Sequence, residues 1–177
     1  MKNLFKITVL GILFFLLNSC GSQNGLATEK VASLLSSGNF TFLAQKANPM
    51  GGDVINVLNS FPNSSASRIL ELDYGYTLQI TENEIIATLP YFGRMYNPSF
   101  DTSKNSYRFT SKDFKINQSP GKKGSTTYSF VLNDQQNIRK MYLEVFKNGK
   151  AYLSIDSNDR QPISYDGYIM ENSADKK

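Results

Sequence analysis

Two stretches of the chain combine aromatic rings with arginine. The first is Leu89–Tyr96, LPYFGRMY, and the second is Asn158–Ile169, NDRQPISYDGYI. A guanidinium can stack on a tyrosine ring and offer a planar fork to a carboxylate, a phosphate or a sugar hydroxyl. The candidate ligand-binding residues are therefore Tyr91, Phe92, Arg94, Tyr96, Arg160, Tyr165 and Tyr168. A structural reading competes with this one. In it, Arg94 pairs with an internal acid such as Asp166 and pins two strands, while the aromatics are core and the glycines serve turns.

Catalytic chemistry finds less support. The chain has no histidine and one cysteine. That excludes histidine triads, imidazole metal ligands, Cys-cluster zinc or iron–sulfur sites and an intramolecular disulfide. No Gly-x-Ser-x-Gly elbow is present, nor a dinucleotide or P-loop fingerprint. Paired carboxylates for glycoside hydrolysis would have to be Asp159 with Asp166, or Glu71 with Asp73. Asp156-Ser157-Asn158-Asp159 supplies part of a calcium loop but lacks the later Gly and Glu. The expectation is a protein that is not an enzyme, with no cofactor, no catalytic residue and no metal.

The single cysteine has a telling position. Lys2 and Lys6 precede the apolar run Ile7–Leu17, ITVLGILFFLL, and Leu17-Asn18-Ser19-Cys20 follows. Basic, then apolar, then small is the order of an export signal. The run is shorter than the roughly 20 residues of a comfortable span. The junction resembles a bacterial lipobox, in which cleavage falls before a cysteine that is then acylated; Asn18 stands where Ala, Ser or Thr is commoner. Residues 1–19 are thus read as a lipoprotein signal peptide and Cys20 as the lipidation site. Loss of the signal removes two of the 19 basic side chains and none of the 15 acidic ones. The nearly balanced remainder argues against a nucleic-acid partner.

Behind a polar tether at 20–25, residues 26–171 read as one domain, and 172–177 as a flexible tail. Leu26–Ser37 places apolar residues at 27, 31, 34 and 35, a helical spacing closed by Gly38. From Asn39 the period changes to two. Alternation runs through 40–44, 70–80, 84–89, 107–110, 114–116, 128–132, 142–146, 151–155 and 163–169, and Asn148-Gly149 marks a hairpin. This predicts a mainly β fold: an antiparallel curved sheet, sandwich or open barrel of about eight strands after one short N-terminal helix.

Three segments, KANPMGG (46–52), TLPYFGRMY (88–96) and NDRQPISYDGYI (158–169), carry a family resemblance. Their order and spacing resemble those of the domain-of-unknown-function family 4251, exported and lipoprotein-like proteins of Bacteroidetes. The resemblance covers about Phe40 to Glu171 and brings no activity with it. It implies a protein of the cell envelope.

The expected function is accordingly a lipid-anchored envelope protein, a non-catalytic binding or assembly module for a lipid, glycan or peptide. Its expected place is the outer membrane, facing the periplasm or the cell surface. Its partners would be the membrane, through Cys20, and a small ligand or an envelope protein. The alternatives are a structural or protein-interaction module without a small-molecule pocket, and an envelope glycan hydrolase.

Overall fold

A computed structural model describes residues 26–63, 65–96 and 105–172. Residues 1–25, with the expected signal segment, Cys20 and tether, and residues 173–177 lie outside the described residues. In chain order the elements are α1 (Thr28–Ser37), β1 (Phe40–Pro49), α2 (Gly52–Asn59), α3 (Ala66–Leu70), β2 (Thr77–Ile80), β3 (Ile85–Pro90), β4 (Ser106–Ser111), β5 (Phe114–Pro120), β6 (Thr126–Leu132), β7 (Ile138–Val145), β8 (Lys150–Ser157) and β9 (Ile163–Met170). A single 3-10 turn, Lys122–Gly124, joins β5 to β6.

The strands form one nearly closed antiparallel sheet in the order β4-β3-β2-β1-β9-β8-β7-β6-β5. Alternation explains the closure. Phe42, Leu78, Ala87, Tyr107, Phe130, Leu143, Leu153 and Tyr165 belong to eight different strands and share one buried cluster. Burying those apolar faces together stabilises the curl at roughly 25 cal/mol per Å² removed from water. Helix α1 adds Val31 and Leu34 to the cluster and ends at Gly38 in the left-handed conformation.

The β4 and β5 edges are consecutive in sequence yet pair only with β3 and β6 among the described residues. Polar groups instead tie the β4–β5 turn to the connection that follows β6. The Asp134 carboxylate accepts from Ser111 Oγ at 2.5 Å and from the amides of Lys112 and Asp113 at 2.7 and 3.2 Å. Those bonds, led by that from Ser111, hold its pKa below the usual carboxylate range.

β1 and β9 meet through a bulge between Ala44 and Lys46. The extra residue changes the phase, so Ala44 and Ala47 are both buried although they are three positions apart. Gly167 lies opposite Ala44, and a Cβ there would sit 2.0 Å from the Leu43 carbonyl oxygen. Only glycine lets the two backbones approach this closely.

The structure departs from the sequence reading in two stretches. Residues 70–80 are not one strand: Leu70 ends α3, and Tyr74 is 78% exposed in a turn before β2. Ser65 starts α3 by accepting from the Arg68 amide, and Asn59 Oδ1 accepts from the Ala66 amide at 2.8 Å. Helix α2 falls in a stretch to which the sequence reading assigned no element. Val54, Ile55 and Leu58 give its helical spacing, but the helix is short and buries none of its residues fully.

Gly167→Ala is expected to lower folding stability by about 2–4 kcal/mol, because one backbone must move. Urea denaturation of the two proteins measures it.

Candidate functional site

The three segments singled out in the sequence converge at one end of the sheet. β3 ends at Pro90, and the chain crosses to the β8–β9 connection, where Met95 and Arg160 form an isolated bridge. The Tyr96 amide donates to the Asp159 carbonyl at 2.8 Å and the Gln161 amide to the Arg94 carbonyl at 3.0 Å. The Tyr91 hydroxyl lies 3.0 Å from the carbonyls of both Arg94 and Gln161. Gly93 makes room for it, since a Cβ there would lie 2.3 Å from that hydroxyl oxygen. Below them the Tyr165 hydroxyl donates to the Pro90 carbonyl at 2.6 Å.

Arg160 is the centre of this junction and is only 6% exposed. Its guanidinium carbon lies 5.0 Å from the Tyr91 ring centroid and 4.9 Å from that of Tyr107. The two rings meet edge to face at 88°, centroids 5.8 Å apart. Asp159 accepts from Nε at 3.1 Å and from NH2 at 2.9 Å. The Tyr107 hydroxyl is 2.9 Å from Ser157 Oγ. Burial opposes the charge on Arg160 most strongly, but the Asp159 carboxylate more than offsets it and raises the pKa. Burial also pushes the Tyr91 phenol up to about 12, with Arg160 pulling the other way. The Tyr107 and Tyr165 phenols move upward for the same reason.

The first segment docks beside them. The Asn48 side-chain amide donates to Asp166 Oδ2 at 2.7 Å, and Pro49 pairs with Ile163. A Cβ on Gly51 would lie 3.1 Å from Gln161 Oε1, the atom that accepts from the Arg94 amide. Arg94 NH2 reaches Asp53 Oδ2 at 2.7 Å across the surface.

The predicted residues therefore divide. Tyr91, Arg160 and Tyr165 come together in the interior, and Phe92 packs half-buried against the same core. Arg94 and Tyr96 stand exposed at the rim. Tyr168 is on the outer sheet face, opposite Lys150 and Leu43, and does not join the others. Arg94 pairs with Asp53 where Asp166 was expected. Tyr107, Ser157 and Asp53 belong to the junction but escaped the sequence reading; Tyr107 showed only the alternation of an ordinary strand.

Three acids considered for glycoside hydrolysis or for a calcium loop have other engagements. Asp159 binds Arg160 inside, Asp166 binds Asn48 on the outer face, and Asp156 binds Arg139. Glu71 and Asp73 are exposed, with Glu71 bridging the Lys46 backbone. Among the described residues no cluster of three or more His, Cys, Asp or Glu is placed to hold a metal.

An open cleft of about 410 Å³ adjoins the junction, between the second half of β1 and the helices α2 and α3. Pro49, Ile55, Ala66 and Leu70 give it apolar walls; Lys46 and Asn59 add polar groups. The sequence reading expected no helix after the first, and so did not find this cleft.

Arg160→Ala would leave Asp159 without its charge partner and open a void between two rings. A loss of about 3–5 kcal/mol is expected in urea denaturation. Alkali supplies an independent check. The unfolded chain releases tyrosine protons near pH 10, whereas Tyr91 and Tyr128 hold theirs to about 12. Their stabilisation is therefore complete below pH 10 and is lost as pH rises toward 12. The last rise in tyrosinate absorbance should coincide with the loss of β-sheet circular dichroism; absorbance that is already complete ahead of that loss would contradict the burial.

The family model "Domain of unknown function (DUF4251)" matches residues 22–169. A solved structure similar to this one is the crystal structure of a DUF4251 family protein from Bacteroides eggerthii DSM 20697. The two share 12% sequence identity over 82% of this chain and 87% of that one, with a TM-score of 0.49. No curated protein matches. The three converging segments and the family match over 22–169 lead to one conclusion: the chain belongs to the DUF4251 family.

Proposed function

We propose that the chain is a lipid-anchored, non-catalytic binding module of the cell envelope, exported to the outer membrane and held there by acylated Cys20. In this reading the ligand sits in the cleft between β1, α2 and α3. One observation carries it: three distant segments lock together beside a cleft of about 410 Å³, within the roughly 300–1,000 Å³ usual for small-ligand sites. The Arg160 junction holds the floor of that cleft rigid, since Asn48 and Pro49 are tied to β9. Apolar walls with Lys46 at one side suit an amphiphile with an anionic head, such as a lipid or an acidic glycan or peptide. The anchor is supported by the order of basic, apolar and small residues ending at Cys20. The non-catalytic reading is supported by Asp159 and Asp166, which each bind a structural partner.

A second reading, a protein-interaction module, draws on the outer face of β7 and β8. Tyr142 and Tyr152 are 40% and 37% exposed there, and Phe146 is 38% exposed just beyond β7. Aromatic residues of this kind are enriched in protein interfaces.

Native mass spectrometry of the chain, purified from its own envelope, separates the two. The binding reading expects a bound small mass, lost in Lys46→Glu and Ile55→Trp proteins that remain folded. A chain without any adduct favours the interaction module. The anchor has its own check. Cys20→Ser should carry no acyl mass and leave the membrane fraction; its retention there would contradict anchoring.

A further inference from the structure

Resting on the reading of Cys20 as a lipid anchor, we propose that the domain stands in a defined orientation. The end formed by Lys122, Lys123, Phe146, Lys147 and Lys150 lies on anionic lipid headgroups, and the Arg160 junction points away from the membrane. Leu26 marks which end is which. It packs over the β7–β8 hairpin, where a Cβ on Gly149 would lie 3.4 Å from the Leu26 Cβ and 3.3 Å from Val31 Cγ2. Only residues 21–25 separate Leu26 from Cys20. Six Cα–Cα steps reach at most about 22 Å when fully extended. An acylated Cys20 therefore keeps this hairpin near the bilayer surface.

The surface held there is basic. Lys122, Lys123, Lys147 and Lys150 are all exposed, on two neighbouring turns. Lys147 crosses from one turn to the other, since a Cβ on Gly124 would lie 2.4 Å from its Cε. The acids nearby are fewer. Glu29 stands in the first turn of α1, and Glu144 is engaged by Ser125 Oγ at 2.6 Å. Lys30 is already paired with Glu171 at 3.1 Å. Phe146 offers an apolar ring between the lysines. Attraction of lysines to an anionic leaflet fades beyond about 10 Å at 0.1 M salt, a distance the short tether can hold.

Strand length sets the opposite end. β8 runs from Lys150 at the hairpin to Ser157 at the Tyr107 hydroxyl. Eight residues at about 3.3 Å each separate the two ends by roughly 25 Å. The cleft beside Asn48 and Pro49 shares the distal half, because Pro49 pairs with Ile163 at the start of β9.

The chain has no tryptophan, so one introduced residue reports its own position. The acylated full chain carrying Phe146→Trp would be placed in vesicles of brominated phosphatidylcholine, with and without phosphatidylglycerol. Fluorescence should fall to about half with phosphatidylglycerol present, as for a ring seated at the headgroup level. It should recover in high salt, and in a protein with Lys122, Lys123, Lys147 and Lys150 all replaced by Gln. A Tyr96→Trp reporter at the other end should stay bright. Equal quenching of both reporters, or no quenching of the Phe146→Trp reporter in an acylated chain, overturns the proposed orientation alone. A chain whose intact mass shows no acyl group on Cys20 overturns the anchor and the orientation together.

Discussion

The guanidinium of Arg160, held between the rings of Tyr91 and Tyr107, solves a problem set by the strand order. The β4 and β5 edges do not pair with each other among the described residues, so backbone hydrogen bonds alone leave the curled sheet open. Side chains must tie the β4 flank down: Asp134 holds Ser111 and the β4–β5 turn at one end, and Arg160 acts at the other. Arg160 comes from the β8–β9 connection, Tyr107 from β4 and Tyr91 from the segment after β3. One cation thus joins the far flank of the sheet to its middle. Arginine suits this place because its charge is delocalised and weakly hydrated, which lowers the cost of burial. Asp159 is its sequence neighbour, so pairing the charge orders little extra chain.

The remainder of that end follows from this contact. With Arg160 fixed, the Met95 bridge and the Tyr96 and Gln161 amide bonds align the two connecting segments. Gln161 then carries the alignment to Gly51 and Arg94, and so to the start of α2. The β1–β9 bulge and the side-chain-free position at Gly167 bring β1 close enough for Asn48 to reach Asp166. In the proposed function the rigid distal end would hold a ligand and the basic proximal end would meet the bilayer.

Much of the fold was legible in the sequence because alternation is a direct consequence of one face being buried. The Asn148-Gly149 hairpin and the α1 stop at Gly38 were legible too, since their backbone angles favour few residues. Helices α2 and α3 were not. Helix α2 has eight residues and α3 five, too few turns for an apolar repeat to establish a helical period. At the junction the residue types were legible and their roles were not. Tyr165 and Tyr168 are three apart, and an odd separation in a strand sends them to opposite faces. Tyr165 is therefore interior and Tyr168 exterior, a division that the shared aromatic character of the segment concealed. Arg94 and Arg160 look alike in the sequence, yet one is exposed and pairs with Asp53 while the other is buried. Which arginine enters the core depends on Tyr107, which lies outside all three motifs.

Amide hydrogen exchange on the full chain, comparing wild type with Arg160→Met, tests the closing role of Arg160 most directly. The variant keeps a chain of similar length in the gap and removes the charge. Loss of protection is expected together at Tyr96, at Gln161 and along β4 from Ser106 to Ser111, while β7 from Ile138 to Val145 keeps its protection. Unchanged protection at Tyr96 and Gln161 in the variant would show that the sheet closes without the arginine, and would contradict the account.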